Sequence, residues 1–241
     1  MNTHSHIDHA GADLYFKERY PGAVFFASSG ESIFIEDDYL FPAYLYGAAP
    51  IKELKRKRAK RRGVAIDEVV EPGPLKINGE KFEVLSLKGH SIDQIGIATA
   101  DGVCFLGDSL YSGEIAEKYP FPLYFDVEDQ LETIDYIKGL DFDYYVLSHG
   151  EGIRHRDGIM NLADDNRRSI ERCLDDIMTL LSQPLTREDV LEQISVLYEL
   201  KPDFKDYYLC LSSAGAFIAY LYNHDLLDFQ VENGKLYYYM K

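Results

Sequence analysis

Tryptophan is absent from this chain of 241 residues and cysteine occurs only three times. No run of about eighteen consecutive apolar residues occurs either, which excludes a membrane-spanning helix. Cys104, Cys173 and Cys210 are widely separated and odd in number. That argues against a disulfide-stapled scaffold and for a reducing compartment, the cytoplasm. The first residues, Met1-Asn-Thr-His-Ser-His6, have neither a basic region nor a hydrophobic core, so no secretory leader is read there. Positive charge is scarce: 25 Lys and Arg stand against 41 Asp and Glu, a formal net charge of −16. Eight of those 25 lie between Lys52 and Arg62, leaving 17 bases against 40 acids elsewhere. A field of that sign repels phosphate backbones, so nucleic acid is not an expected partner. What remains is an ordinary globular composition, 46% hydrophobic and 13% aromatic. The length suits one large domain, or a medium domain with an appendage. No internal repeat is visible.

Hydrophobic spacing predicts an α/β chain with a change of character near its end. A helix is expected over Gly11–Tyr20 and a buried strand over Ala23–Ala27. The tyrosine-rich stretch Glu31–Pro50 has no clean period and reads as an irregular, lid-like insertion. Ile51–Arg62 reads as a helix closed by Gly63. Strands follow at Val64–Val70, Leu75–Ile77, Lys81–Leu87, Ile95–Thr99 and Val103–Leu106. Asn78-Gly79 and Asp101-Gly102 supply hairpin turns among them. Val127–Leu140 is an amphipathic helix and Tyr144–Leu147 a short buried strand. Ile170, Cys173, Leu174, Ile177 and Leu181 mark a helix behind a cap at Asp164 or Asp165, stopped by Pro184. Thr186-Arg-Glu-Asp189 opens a capping-box helix. Ser212–His224 is another helix, and Asn233-Gly234 turns a terminal hairpin. Residues 1–183 and 184–241 are thus expected as a main domain and a small winged-helix-like module.

The placement of the seven histidines carries the chemistry. Three lie in His4-Ser-His6-Ile-Asp8-His9. On a tight loop His4 and His6 can aim at one point while Asp8 and His9 face a second. Imidazoles with a carboxylate are the donor set of zinc or iron. His90 in Gly89-His90, Asp108 in Gly107-Asp108 and His149 in Ser148-His149-Gly150 each follow a predicted strand. One rim of a sheet would therefore collect all three.

Taken in order, Thr3-His-Ser-His-Ile-Asp-His9, Gly89-His90, Gly107-Asp108 and Ser148-His149-Gly150 resemble the metallo-β-lactamase superfamily over Thr3 to Gly150. The resemblance implies an αββα sandwich with two metals at one edge. His4, His6 and His90 would hold one metal, Asp8, His9 and His149 the other, and Asp108 would bridge them. The expected cofactors are two divalent ions, zinc first, with iron or manganese as other candidates. Two such cations bring a shared water towards ionisation at neutral pH, and Asp8 would orient that water and take its proton. Only Met1 and Asn2 precede the histidine loop, where the family carries N-terminal strands. The expected fold is therefore a sandwich lacking those strands.

Asp108-Ser-Leu-Tyr111 is similar to the Asp-x-x-Tyr of lactone-cleaving members, which implies that Tyr111 contacts the ester carbonyl. The seven ligand types are also those of glyoxalase II-like thioesterases. Arg154 and Arg156, and the cluster Lys55–Arg62, are candidates for holding an anionic small-molecule substrate; a solvated helix face is the other reading of the cluster. The 186–241 segment holds 9 acids and 5 bases, and its helix Ser212–His224 has no Lys or Arg. It resembles the winged-helix tail of some lactamase-fold hydrolases, with packing or homodimerisation as its expected role; Phe217, Tyr220, Tyr237 and Tyr239 read as core. His224 reads as structural. The reading is a binuclear metal-dependent hydrolase of an ester, thioester or lactone. A mononuclear iron persulfide-type oxygenase, a di-iron electron carrier and a non-catalytic member of the family remain as alternatives.

Overall fold

The computed structural model describes residues 1–55, 63–150 and 152–241. The expected helix over Ile51–Arg62 and the basic cluster therefore lie mostly outside the described residues. The elements, in order, are α1 (Ile7–Ala10), α2 (Asp13–Arg19), β1 (Phe26–Ala27), α3 (Ser29–Glu36), α4 (Leu40–Tyr46), β2 (Glu68–Val69), β3 (Gly73–Ile77), β4 (Glu80–Ser86), β5 (Ile95–Thr99) and β6 (Val103–Phe105). They continue with α5 (Gly113–Lys118), α6 (Val127–Gly139), β7 (Tyr144–Val146), β8 (Ile153–Arg154), α7 (Arg156–Leu180), α8 (Arg187–Leu197), α9 (Phe204–Asn223), β9 (Leu227–Glu232) and β10 (Lys235–Met240).

Period-2 alternation in the strands builds a four-layer sandwich. The main sheet has the order β3-β4-β5-β6-β7-β8. In β4 the neighbours Val84 and Leu85 are both buried but point to opposite faces, as successive strand residues must. Val84 joins Phe26, Val70 and Ile95 beneath the small parallel sheet β1-β2. Leu85 joins Cys104, Leu106 and Tyr145 under α6 and α7, with Ile134, Ile137, Ile170 and Ile177 opposite. On the outer side of β1-β2, Ala27, Ile35 and Val64 pack with Leu14 of α2. The layers are thus helix, small sheet, large sheet, helix.

Sheet direction sets the position of the site. β4 is antiparallel to β5, β5 is antiparallel to β6, and β6 is parallel to β7. β4, β6 and β7 therefore run the same way, and their C-terminal ends share one rim. The N-terminal segment is tied to that rim, because Ile95 at the start of β5 donates its N–H to the Thr3 carbonyl at 2.9 Å.

The turns follow the local chemistry. Asn78 and Gly79 have φ of 51° and 92°, and Asn233 and Gly234 have φ of 50° and 77°. These are the left-handed pairs of two-residue hairpins, and the registers Ile77↔Glu80 and Glu232↔Lys235 agree. Thr186 caps α8 by a reciprocal box with Asp189.

Several expectations need correction. The stretch from Glu31 to Pro50 is not irregular: most of it forms α3 and α4. The strands expected over Ala23–Ala27 and Val64–Val70 shrink to two-residue ladders, because among the described residues they pair only with each other. α7 starts at Arg156 behind His155, so Asp164 and Asp165 lie within the helix and do not cap it. They are held there by Lys138 and Arg168. α9 starts eight residues before Ser212, capped by Asp203, whose carboxylate accepts from Lys205 and Asp206 N–H. The terminal segment shares the main core: Val190, Ile194, Phe217, Leu221 and Leu227 are contiguous with the residues of α6 and α7. Phe217 is fully buried, while Tyr220, Tyr237 and Tyr239 are half-buried.

Candidate metal centre

Three loops and the N-terminal segment converge at the rim. His4, His6 and His90 bring ligand atoms within 4.8 Å of one another, as do His4, His9 and Asp108, and Asp8, His9 and His149. Asp108 sits between the groups. Its Oδ2 is 3.6 Å from His90 Nε2, 3.9 Å from His4 Nε2 and 3.4 Å from His149 Nε2. Its Oδ1 is 3.3 Å from His9 Nε2. Asp8 Oδ2 lies 3.3 Å from His149 Nε2, and His90 Nε2 lies 3.0 Å from His6 Nδ1. All seven side chains singled out from the sequence are in one cluster.

The cluster has a closed side and an open side. His4 is 0% exposed and His90 and Asp108 nearly so, whereas Asp8 is 55% and His149 40% exposed. Burial, with the neighbouring imidazoles adding to it, holds His4 far below the ordinary histidine range and His90 at about 3. Both are therefore neutral at pH 7, the form that donates a lone pair to a metal. Burial alone would raise Asp108. The imidazoles packed around it, His9 first and then His90 and His149, outweigh that and bring the carboxyl down to about 2.

Whether the residues fit a metal is tested by atoms that lack other work. His4 Nε2, His9 Nε2 and Asp108 Oδ1 are buried and make no hydrogen bond. Buried polar atoms are almost always hydrogen-bonded, so three that are not, in one nitrogen–oxygen donor set where His9 Nε2 and Asp108 Oδ1 stand 3.3 Å apart, fit divalent cations. The cysteines stand apart: Cys104 and Cys173 are buried in the core, and burial pushes their thiols up to about 12 and about 11.

Local folding explains the aim of each loop. Gly89, before His90, has φ +118°, and a Cβ there would meet the Gln130 backbone at 2.4 Å. Only glycine lets the loop lie against the start of α6. Gly150, after His149, has φ +78° and would bring a Cβ to 2.2 Å from Ser112 Oγ.

Residues that the sequence reading passed over hold the loops. Glu31 of α3 is 0% exposed. Its Oε2 accepts from Ser5 N–H at 2.8 Å, between His4 and His6. Its Oε1 accepts from Ser91 Oγ at 2.6 Å and Asp93 N–H at 3.0 Å, in the loop after His90. One carboxylate thus clamps both ligand loops. Gln94 does the same for Asp108: its Oε1 accepts from Asp108 N–H, while its Nε2 donates to the Leu87 carbonyl and Ser109 Oγ. Asn166 of α7 binds both backbone groups of Tyr111. No short motif marks these residues.

Tyr111 is placed differently from the expectation that its hydroxyl meets a substrate carbonyl. The hydroxyl donates to the Leu123 carbonyl at 3.0 Å and lies 3.0 Å from His90 Nδ1, on the far side of that ring from the cluster. Burial, with Tyr124 and Asp108 nearby, pushes the phenol well above its usual value, so it stays protonated. The candidate substrate contacts Arg154 and Arg156 have local partners of their own. Arg156 donates to the Leu140 carbonyl and pairs with Asp141 at 3.5 Å. Arg154 lies on the edge strand β8, where its guanidinium donates to the Ile153 carbonyl. His224 pairs with Glu128 at 3.2 Å.

Comparisons with known proteins agree with this geometry. The family model of the metallo-beta-lactamase superfamily matches residues 1–149, and the chain belongs to that superfamily. Among curated relatives, the hydroxyacylglutathione hydrolase GloC of Haemophilus influenzae is 31% identical over 114 residues, 47% of this chain. The chain spans half the length of that relative. Among solved structures, a beta-lactamase domain protein from Burkholderia ambifaria superposes with a TM-score of 0.73 at 18% identity, over 100% of this chain and 74% of that one. The metallo-beta-lactamase family protein TTHA1429 of Thermus thermophilus gives 0.71 at 18% identity, over 99% and 78%. At that identity the likeness defines the fold. No helix among the described residues is long and apolar enough to cross a membrane.

Proposed function

We propose that this chain is a two-metal hydrolase that cleaves an ester, thioester or lactone. The observation that carries the reading is the convergence of seven ligand side chains on one rim, with three of their buried atoms free of hydrogen bonds. His4, His6 and His90 would hold one cation, Asp8, His9 and His149 the second, and Asp108 would join them. Two linked groups support a pair of cations over a single iron. Zinc suits the nitrogen–oxygen donors best, and the likeness to a hydroxyacylglutathione hydrolase supports acyl transfer to water. When bound, the cations supply a Lewis acid for the carbonyl oxygen and lower the pKa of water towards neutrality.

The chain's own groups do the rest. His4, His90 and Asp108 form the closed floor, and Asp8 and His149 form the solvent side from which substrate and water enter. As the water oxygen bonds to the acyl carbon and the acyl–oxygen or acyl–sulfur bond breaks, Asp8 takes the water proton and returns it to the departing atom. Tyr111 and the Leu123 carbonyl fix the His90 ring from behind, an orienting role for ligand imidazoles. No Ser or Cys nucleophile is required.

The test is turnover of a thioester, lactone and phosphodiester panel by the zinc-loaded chain and by Asp108→Ala. The expected result is hydrolysis of acyl substrates only, falling by at least about a thousandfold in the variant, the scale on which lost electrostatic stabilisation is felt. Unchanged turnover in Asp108→Ala contradicts the assignment.

A further inference from the structure

A partly open chamber lies beside the cluster, with His6 and His90 among its lining residues. Its walls come from three separate parts of the chain: α3–α4, the segment after α5, and α9. Phe34, Phe41, Leu45, Phe125 and Leu209 give it an apolar surface. The aromatic walls are mutually braced: Phe41 lies 5.4 Å from the His6 ring, 6.2 Å from Phe34 and 6.2 Å from Tyr44, and Tyr44 lies 5.8 Å from Phe125. Such edge-to-face and tilted pairs make a preformed wall.

Several of the polar groups that line the chamber are already engaged. Glu31 accepts its three hydrogen bonds, and the Tyr44 hydroxyl meets Ser212 Oγ at 2.6 Å, joining α4 to α9. No Lys or Arg is among the described residues lining it. An anionic conjugate such as a glutathione or nucleotide tail would find no countercharge here and would leave its own polar groups unpaired, which is costly. A hydrocarbon loses nothing by entering.

We infer that the chamber seats the hydrocarbon part of the acyl group. The substrate is then an ester or lactone with an unbranched apolar acyl chain lying between α4 and α9 and its carbonyl at His6 and His90. This rests on the hydrolase reading above and narrows it from acyl substrates in general to apolar ones. It also assigns α9 a function besides packing, as the chamber's far wall.

The experiment uses the zinc-loaded full chain and two readouts. The first is kcat/KM on the 4-nitrophenyl esters of acetic, butyric, hexanoic and octanoic acids. The expected gain is roughly fourfold per added methylene until the chamber is full, the value of burying one CH₂. The second is calorimetric binding of 1-octanol, with the negative heat-capacity change of apolar burial. Leu209→Gln should flatten the ester series and weaken octanol binding while bound zinc is retained. If that variant fails to fold, the unaltered chain still decides through both readouts. Esters hydrolysed with no dependence on chain length, together with no octanol binding, overturn the chamber and leave the hydrolase reading standing. Octanol bound while no ester is hydrolysed overturns the hydrolase reading and leaves the chamber. Faster turnover of a glutathione thioester than of the octanoyl ester also overturns the inference.

Discussion

Glu31 is the residue on which the geometry of the centre turns. It ligates nothing, yet it receives donors from both sides of the cluster, Ser5 N–H on one and Ser91 Oγ and Asp93 N–H on the other. All three are donors, so glutamine can satisfy one edge but must turn an NH₂ towards the other. We predict that Glu31→Gln costs about 1–3 kcal/mol of stability, as a buried group left unpaired does. It should also weaken zinc binding by roughly 10- to 100-fold, the usual effect of losing support behind metal ligands. Competitive chelation measures the affinity; zinc binding as tight as in the unaltered chain sinks the clamp role. The contrast between Glu31 and the ligands shows what a sequence exposes. His4, Asp8, His90, Asp108 and His149 each combine a ligand-type side chain with a loop or strand-end position, so they can be read locally. Glu31, Gln94 and Asn166 work through partners that the fold alone brings near, as far as 62 residues away for Glu31 and Asp93.

Capping and burial decide which elements are legible. α8 is readable because Thr186 and Asp189 form a local box. Thr186→Ala should lower stability by about 1 kcal/mol, a fall in Tm of roughly 2–4 °C at this size. Hydrogen bonds from Thr186 hold the Asp189 carboxyl below its usual range. A lowered folded pKa means that the cap's contribution is present at neutral pH and fades as pH falls through that lowered value. The Asp189→Ala deficit should therefore shrink in acid, and a deficit in that variant constant from pH 7 to pH 2 contradicts the box. α3 and α4 are illegible for the opposite reason. Ile35 faces the core beneath β1 while Phe34, Phe41 and Leu45 line the chamber. Helices apolar on more than one side lose the 3.6-residue contrast that marks an amphipathic helix. In α7 the acidic pair Asp164-Asp165 imitates a cap, but its charges are spent on Lys138 and Arg168 in mid-helix.

The molecule as a whole joins a structural half to a chemical half through one core. Phe217 of α9 packs on Phe121 at 5.4 Å and Tyr124 at 6.3 Å, and Tyr124 lies 6.0 Å from Tyr111, which backs His90. The terminal helices thus reach His90 through three successive contacts. The strands were readable from alternation and hairpin turns, whereas this coupling was not, because it depends on how α9 crosses the chain's earlier segments. Folding gathers imidazoles, His4 and His90 among them held neutral by burial, around a carboxylate that stays charged, an arrangement whose buried atoms lack hydrogen bonds unless cations complete it. The most direct measurement is therefore the zinc content of the purified chain by elemental analysis, with the thermal midpoint before and after chelation. The account predicts about two zinc ions per chain and a fall in Tm on the order of 10 °C on their removal, the linkage expected when free metal exceeds its Kd about a thousandfold. A chain that binds no stoichiometric metal and melts at the same temperature with and without chelator contradicts it.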